Sequence, residues 1–342
     1  MNSRPRLKSH AQPLRRGPGS LQLGLSPDAG VVLDGLTDAE ITMAEGLDGS
    51  MDIQTLYAVA AAAGVAPDRA SELIATLDEH HLLVDAPADR VRPSPIDLAR
   101  RPPPRPDATA VAIAAAYRLP DDGFHLAAAR STQHVVISGE GELPCALADL
   151  LRVGGIGQVG VGANAVNALD LELRSHPAGT RHARFARAPV PSTRPDLVVL
   201  AAMGAIHAEA GEPWLRRGIP HLPLVVQAHR VQIGPLITGR AGPCLSCMDL
   251  HRRDRDAAWP AVLSQLSPAW PLRPGAPVNL ESTLTAMTIG VAAMIVHTCL
   301  DGQPLPADLS LELSLPWPAV LSRRWLRHPL CGCTARHATM AG

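Results

Sequence analysis

The chain has 342 residues, 46% of them hydrophobic, and a formal charge of -1. That length exceeds the usual single domain and supplies ample core, so two domains are expected. The near-neutral whole excludes long-range attraction to nucleic acid or anionic membranes, and six cysteines with no secretory signal point to a reducing cytoplasm.

Residues 1–20 carry Arg4, Arg6, Lys8, Arg15 and Arg16 and no acid. They are expected to form a disordered basic tail; a transit peptide shares this composition and is the weaker reading. Residues 21–86 read as a compact module of two short strands (LQLGL, VVLDG), three helices and a final strand, LLVDA. Asp38 and Asp52 are candidate caps for the first two helices, and Pro67 opens a third with Leu73, Ile74 and Leu77 on one face. This order is winged-helix-like. A DNA-binding regulator is disfavoured by charge, because twelve acids against the lone Arg69 give the stretch -11 and would repel phosphates. A solubilising cap is the bland alternative.

Residues 87–107, PADRVRPSPIDLARRPPPRPD, are rich in proline, which denies them helix and ladder hydrogen bonds, and read as a linker. From about 108 to 342 strands and helices alternate: QHVVISG (133–139), the helix LPCALADLLRVGG, IGQVGVG (156–162), PDLVVLAAM (195–203), the helix AEAGEPWLRRG, and two strands in HLPLVVQAHRVQIGPLI (221–237). The class is α/β, with a Rossmann-type doubly wound sheet. The uncharged segment 282–300 reads as a buried helix rather than a membrane span, because Ser, Thr and His interrupt it and no second span is near.

Gly139 and Gly141 turn the first strand of this domain into its helix, as in a dinucleotide fingerprint. The loop is degenerate for that purpose. Glu140 and Glu142 place carboxylates where a phosphate would sit, and Pro144 removes an N–H donor. The first acid after the second strand is Asp170, too late to grip a ribose, and no lysine follows Lys8. ATP binding is therefore not expected. Arg152, Arg230 and Arg240 are the cations that could replace a lysine there.

The cysteines form two close pairs, Cys244/Cys247 in GPCLSC and Cys331/Cys333 in HPLCGC, with 83 residues between the pairs. A C-x-x-C turn and a C-x-C corner together supply four thiolates for a tetrahedral, structural zinc; cross-pair disulfides are the alternative. Cys145 and Cys299 read as ordinary buried thiols; His251, His328 and His337 could substitute as ligands, but beside a complete cysteine set they read as surface or supporting residues.

The stretches VQIGPLITGRAGPCLSCMDLHRRDRD and HPLCGC, after a strand-loop-helix opening, resemble the ubiquitin-activating-enzyme-like (ThiF-type) fold. More narrowly, they resemble the actinobacterial cyclodehydratase-partner proteins of thiazole/oxazole-modified peptide (bacteriocin-type) biosynthesis, and the acidic module resembles their PqqD-like leader-recognition element. The resemblance implies zinc at Cys244, Cys247, Cys331 and Cys333. It also implies a precursor-peptide leader and a YcaO-type cyclodehydratase as partners, a homodimer as an allowed assembly, and no nucleic-acid or membrane partner. The leader is expected along Leu82, Leu83 and Val84 and beside His80, adding a strand, with its basic residues favoured by the acidic surface. The competing reading is an active adenylyltransferase, from whose nucleotide site the Gly139–Pro144 loop departs.

Overall fold

The computed structural model describes residues 3–26, 30–86, 115–119, 123–162, 194–266 and 277–333. The expected linker at 87–107, the expected boundary at 108, Asp170 and His337 lie outside these residues. The chain divides into two compact units, Met1–Ala128 and Ala129–Gly342.

Unit 1 contains strands β1 (Pro5–Leu7), β2 (Pro13–Gly17), β3 (Ser20–Leu23) and β4 (Val31–Asp34), helices α1 (Asp38–Glu45), α2 (Ile53–Ala62) and α3 (Pro67–Glu79), and strand β5 (Leu83–Asp85). β2, β3 and β4 form an antiparallel sheet, and β1 pairs antiparallel with β5, Leu7 opposite Leu83. The expected disordered tail is thus structured. Its arginines are drawn in by the module's own acids: Arg15 makes a two-pronged contact with Glu45 at 2.8 and 2.7 Å, and the Arg4 backbone N–H donates to Asp85 at 2.7 Å. Residues 3–86 then hold six basic and twelve acidic residues, a formal charge of -6 rather than -11. Thr37, not Asp38, caps α1: its hydroxyl accepts from the Glu40 N–H, and the Glu40 carboxylate accepts from the Thr37 N–H. Asp52 caps α2 as expected. Leu21, Leu23, Ile41, Leu73 and Leu77 close the core between the helices and the sheet.

Unit 2 is built on seven strands: β6 (His134–Ser138), β7 (Gln158–Val161), β8 (Leu197–Met203), β9 (His221–Gln227), β10 (Arg230–Ile233), β11 (Leu309–Ser314) and β12 (Ala319–Arg324). Their order is β12-β11-β10-β9-β8-β6-β7. The sheet is mixed. β7, β6, β8 and β9 are parallel, while β9 to β12 run antiparallel, which corrects the expectation of a doubly wound sheet throughout. The reason is connection length: Gln227 pairs with Arg230 across two residues, and so short a link joins only antiparallel neighbours.

Residues alternate between two cores. Val135, Ile137, Leu197, Val199, Leu222 and Leu224 face α5 (Glu142–Val153) and α9 (Ser282–Leu300). Val136, Val198, Leu200 and Val225 face the other way, toward α6 (Ala208–Arg216) and α7 (Leu245–Arg255), to which α8 (Trp259–Leu266) is joined by the Trp259–Asp249 hydrogen bond. Among the described residues α9 is the one helix long and apolar enough to cross a membrane. One of its faces is committed to the core, with Leu284, Thr288, Ala292 and Val296 fully buried. Glu281 caps it, accepting from the Thr283 hydroxyl and from the Leu284 and Thr283 N–H groups, which together pull its carboxyl down to about 2.

Helix α4 (Phe124–Arg130) ends in a buried ion pair: Arg130 grips Asp301, at the end of α9, through contacts of 2.8 and 2.6 Å, with side chains 3% and 1% exposed. Removing one partner leaves an uncompensated buried charge, so Asp301→Ala should lower unfolding free energy by about 3–5 kcal/mol. The double replacement Arg130→Met with Asp301→Leu should cost clearly less. Urea denaturation of the two variants measures the difference.

Candidate functional site

Cys244 is the N-cap of α7 and Cys247 lies in its first turn, so the C-x-x-C spacing projects both sulfurs from one helix end. Gly242, with φ +76°, makes the approach possible, since a Cβ there would overlap the Ala307 carbonyl. Cys331 and Cys333 arrive from the chain after β12. The sulfurs lie 3.7 Å (Cys244–Cys247), 3.6 Å (Cys244–Cys331) and 3.4 Å (Cys247–Cys333) apart, and all four fall within 4.8 Å of one another. A tetrahedral zinc at about 2.3 Å from each sulfur requires S···S edges of about 3.8 Å, so the donor set fits. These separations far exceed an S–S bond of about 2.05 Å, so none of the four is in a disulfide.

Every one of the four is less than 9% exposed. Cys247, accepting from the Cys244 thiol and from a backbone donor at His328, is pulled down to about 4. Cys244 is pushed up, by its hydrogen bond to Cys247 and then by burial; burial and the neighbouring sulfurs push Cys333 up to about 12. Without a cation, Cys247 is thus favoured as thiolate while the thiols of Cys244 and Cys333 hold their protons; a divalent cation reverses that balance. Four filled positions leave no open coordination site, which makes such an ion structural.

The two knuckles are tied independently of any ion. Arg327 donates to the Gly242 and Arg240 carbonyls at 2.9 and 3.2 Å, and His328 meets Asp254 of α7 at 2.7 Å. That contact holds the Asp254 carboxyl below its usual range. His251 faces the Leu326 carbonyl at 2.9 Å. Neither histidine has an open role as a ligand. Arg252 and Arg323 stack over the Trp325 ring at 5.4 and 5.6 Å, joining α7 to the β11–β12 hairpin. Of the remaining cysteines, Cys299 is partly buried, its thiol pushed up to about 11 by burial. Cys145 is exposed, correcting the expectation, because the buried face of α5 is Leu143, Pro144, Leu147, Ala148 and Leu151.

The glycine loop stands at the carboxyl end of β6, where the strand order reverses between β6 and β8, the usual ligand position in such sheets. Gly139 and Gly141 have φ of +101° and +114°. The space before α5 is filled by the chain itself. The Asn279 side-chain oxygen accepts from the Glu142 N–H at 2.9 Å, and the Val278 carbonyl accepts from the Leu143 N–H at 3.2 Å. The third first-turn position is Pro144, with no N–H. Val278 in turn donates its N–H to the Glu140 carbonyl at 2.6 Å. The end of β8 continues as Met203, Gly204, Ala205 and Ile206, which offer no carboxylate for a divalent ion.

The replacement arginines are elsewhere. Arg152 is held by Asp149 and the Val159 carbonyl at the far end of α5, about 15 Å of helix from the loop. Arg230 pairs with Glu312 on β10, three strand spacings, about 14 Å, from β6. Arg240 lies beyond β10, its carbonyl bound by Arg327 in the cysteine knuckle. Sequence reasoning missed Val278 and Asn279, whose partners are more than 130 positions away and leave no local signal.

In unit 1, Leu82 and Leu83 are buried at 1% and 4%, Val84 is half-buried and His80 is exposed at the end of α3. What β5 offers a peptide is therefore backbone rather than leucine side chains. β1 occupies one of its edges. The Lys8–Leu82 and Ala86–Arg4 hydrogen bonds fix the alternation so that Leu83 and Asp85 turn their N–H and C=O groups to the other edge.

No protein-family model and no curated protein matches the chain. Solved structures do. A heterocyclase in complex with substrate and cofactor has a TM-score of 0.61 at 14% identity, over 96% of this chain and 39% of its own. The heterocyclase TruD gives 0.61 at 16%, over 96% and 42%. E. coli MccB with MccA gives 0.58 at 13%, over 96% and 99%, and MccB has also been solved with ATP. The chain thus spans about two-fifths of the heterocyclases and nearly all of MccB. At these identities the likeness shows the fold, and it runs through both units.

Freshly reduced protein should contain about one zinc per chain by elemental analysis. Since binding free energy at such a site is also folding free energy, chelation and Cys331→Ser should each lower the melting temperature of unit 2. His328→Ala, which leaves the four sulfurs in place, should lower metal affinity about 10–100-fold, measured by competition with a chromogenic chelator.

Proposed function

We propose that this chain binds the leader of a ribosomally synthesised precursor peptide through unit 1 and presents it to a separate YcaO-type cyclodehydratase, which carries out the ATP-dependent formation of azolines. On this reading unit 1 is a winged-helix, PqqD-like recognition module, unit 2 a ThiF-like scaffold, and the cysteine cluster a structural zinc clip in a cytoplasmic protein. Positioning is its contribution, converting a bimolecular encounter into a tethered one.

The observation that carries the reading is the self-capped start of α5. In a fold shared with heterocyclases and with MccB, the amides that would receive a phosphate are taken by Asn279 and Val278 or deleted by Pro144. The edge of β5 opposite β1, which no strand among the described residues covers, lies beside His80 and supports strand addition by an extended peptide. The alternative, an adenylyltransferase activating a carboxylate, is favoured by the structure of MccB with ATP. A DNA-binding role is opposed by the formal charge of -6 across residues 3–86.

Two measurements test the proposal. The purified chain should show no ATP–pyrophosphate exchange above background; turnover that Asn279→Ala raised would establish the adenylyltransferase instead. A cognate precursor leader should bind the full chain, and Asp85→Pro, which removes an N–H from the outward edge of β5, should weaken binding at least tenfold relative to Asp85→Ala, which keeps that N–H. Equal binding by the two variants would move the peptide site elsewhere.

A further inference from the structure

Unit 1 contains a pocket of about 300 Å³ lined by His10, His80, His81 and Arg118, with Val31 and Ala115 as apolar wall. That volume is at the small end of the range for ligand sites, about 300–1,000 Å³. Among the described residues, every ionisable group in its lining is basic, in a module that is acidic overall. Close by, the buried Lys8 ammonium donates to the carbonyl of Leu119, the residue after Arg118.

A second observation falls on the same place. His81 and Arg118 have φ of +57° and +51°, and they are the two non-glycine residues with positive φ among the described residues. Side chains with a Cβ occupy this left-handed region at a cost, and such residues gather where function holds them. Both line this one pocket. The first occurs at the turn from α3 into β5, and the second in a separate segment. Their shared location is not a product of one local turn.

We infer that this pocket takes the carboxylate of an acidic side chain on the bound peptide. The inference rests on the peptide-binding reading of unit 1 and adds a point of specificity to it. Arg118 supplies a planar fork matched to a carboxylate, the imidazoles supply further donors, and Val31 and Ala115 receive the methylene stem. The pocket abuts His80 and therefore the start of β5, so a peptide added along that strand would carry an acidic residue at one end of its register. This reverses, at one position, the preference for basic residues that the overall charge of the module suggests.

The test uses full-length protein with histidine and arginine side chains isotopically labelled, and two probes, acetyl-Glu-Leu-amide and acetyl-Gln-Leu-amide. The glutamyl probe should shift the His80, His81 and Arg118 signals saturably, with the glutaminyl probe at least tenfold weaker. Arg118→Asn and His81→Asn keep a residue that tolerates the left-handed conformation, and each should weaken the glutamyl probe about tenfold. Arg118→Lys, which keeps charge but loses the fork, should fall between. Equal response to both probes, no response at these residues, or tighter binding of inorganic phosphate than of the glutamyl probe would each overturn the inference, the last by making this a site for free anions. The probes need no precursor. Failure of the precursor to bind would therefore remove the peptide-binding reading while leaving the carboxylate pocket separately decided.

Discussion

Four buried sulfurs within 4.8 Å of one another are the constraint around which the second half of unit 2 is arranged. Four thiolates packed this closely repel one another, so full ionisation requires a cation, and the cation requires the two knuckles to meet. The chain between Cys247 and Cys331 consequently has both ends fixed at one point. Within that interval lie α9 and the β11–β12 hairpin, which supply one face of the core and three strands' worth of antiparallel edge together with β10. The Arg252–Trp325–Arg323 stack and the His328–Asp254 contact work in the same direction, so the closure does not depend on metal alone. The cluster lies on the face of the sheet opposite α5 and α9, and four sulfurs leave a bound ion no open ligand position, an arrangement that fits an architectural role.

The elements legible in the sequence were those whose signal is local. β6 and β8 are short apolar runs beside glycine or a following helix, α3 shows its Leu73/Leu77 stripe behind Pro67, and the cysteine spacing announces itself. β11 carries a local signal as well, since LSLELS alternates strictly, although proline-rich turns beside it blur its ends. What could not be read locally was decided by distant partners. β1 is three residues long and exists because Asp85 and Leu83 receive it. Its arginines looked like a solvated tail because their acids lie 30 to 80 positions away. Cys145 looked buried until the helix phase was fixed by the neighbouring Leu143, Leu147 and Leu151.

The same reassignment alters the electrostatics of unit 1. As a stretch of 66 residues it is strongly acidic; across residues 3–86, Arg15 and Arg69 neutralise part of its own surface. Exposed pairs of this kind contribute little each. Their larger consequence is to leave the remaining field uneven, with carboxylates over α1 to α3 and basic groups gathered at the His80 end of α3. Net charge alone describes such a surface poorly, and recognition of a peptide would depend on register along it.

The glycine loop carries a related lesson about degenerate sites. Losing a lysine or an acid weakens a nucleotide site but leaves a cavity that a cation from elsewhere can rescue. Here the helix start is occupied. A phosphate entering before α5 must displace the Asn279 oxygen and the Val278 carbonyl, and Val278 is itself 1% exposed within the main core. Breaking those two hydrogen bonds costs about 1–3 kcal/mol, and extracting a valine from the core about 1.5–3 kcal/mol more. A ligand must recover this before it gains net affinity, against the carboxylates of Glu140 and Glu142 at the same loop. The sum, roughly 2.5–6 kcal/mol, corresponds to a loss of between two and four orders of magnitude in binding. Self-occupation of the helix end is therefore a barrier to phosphate binding at this position that a cation brought from elsewhere would not remove.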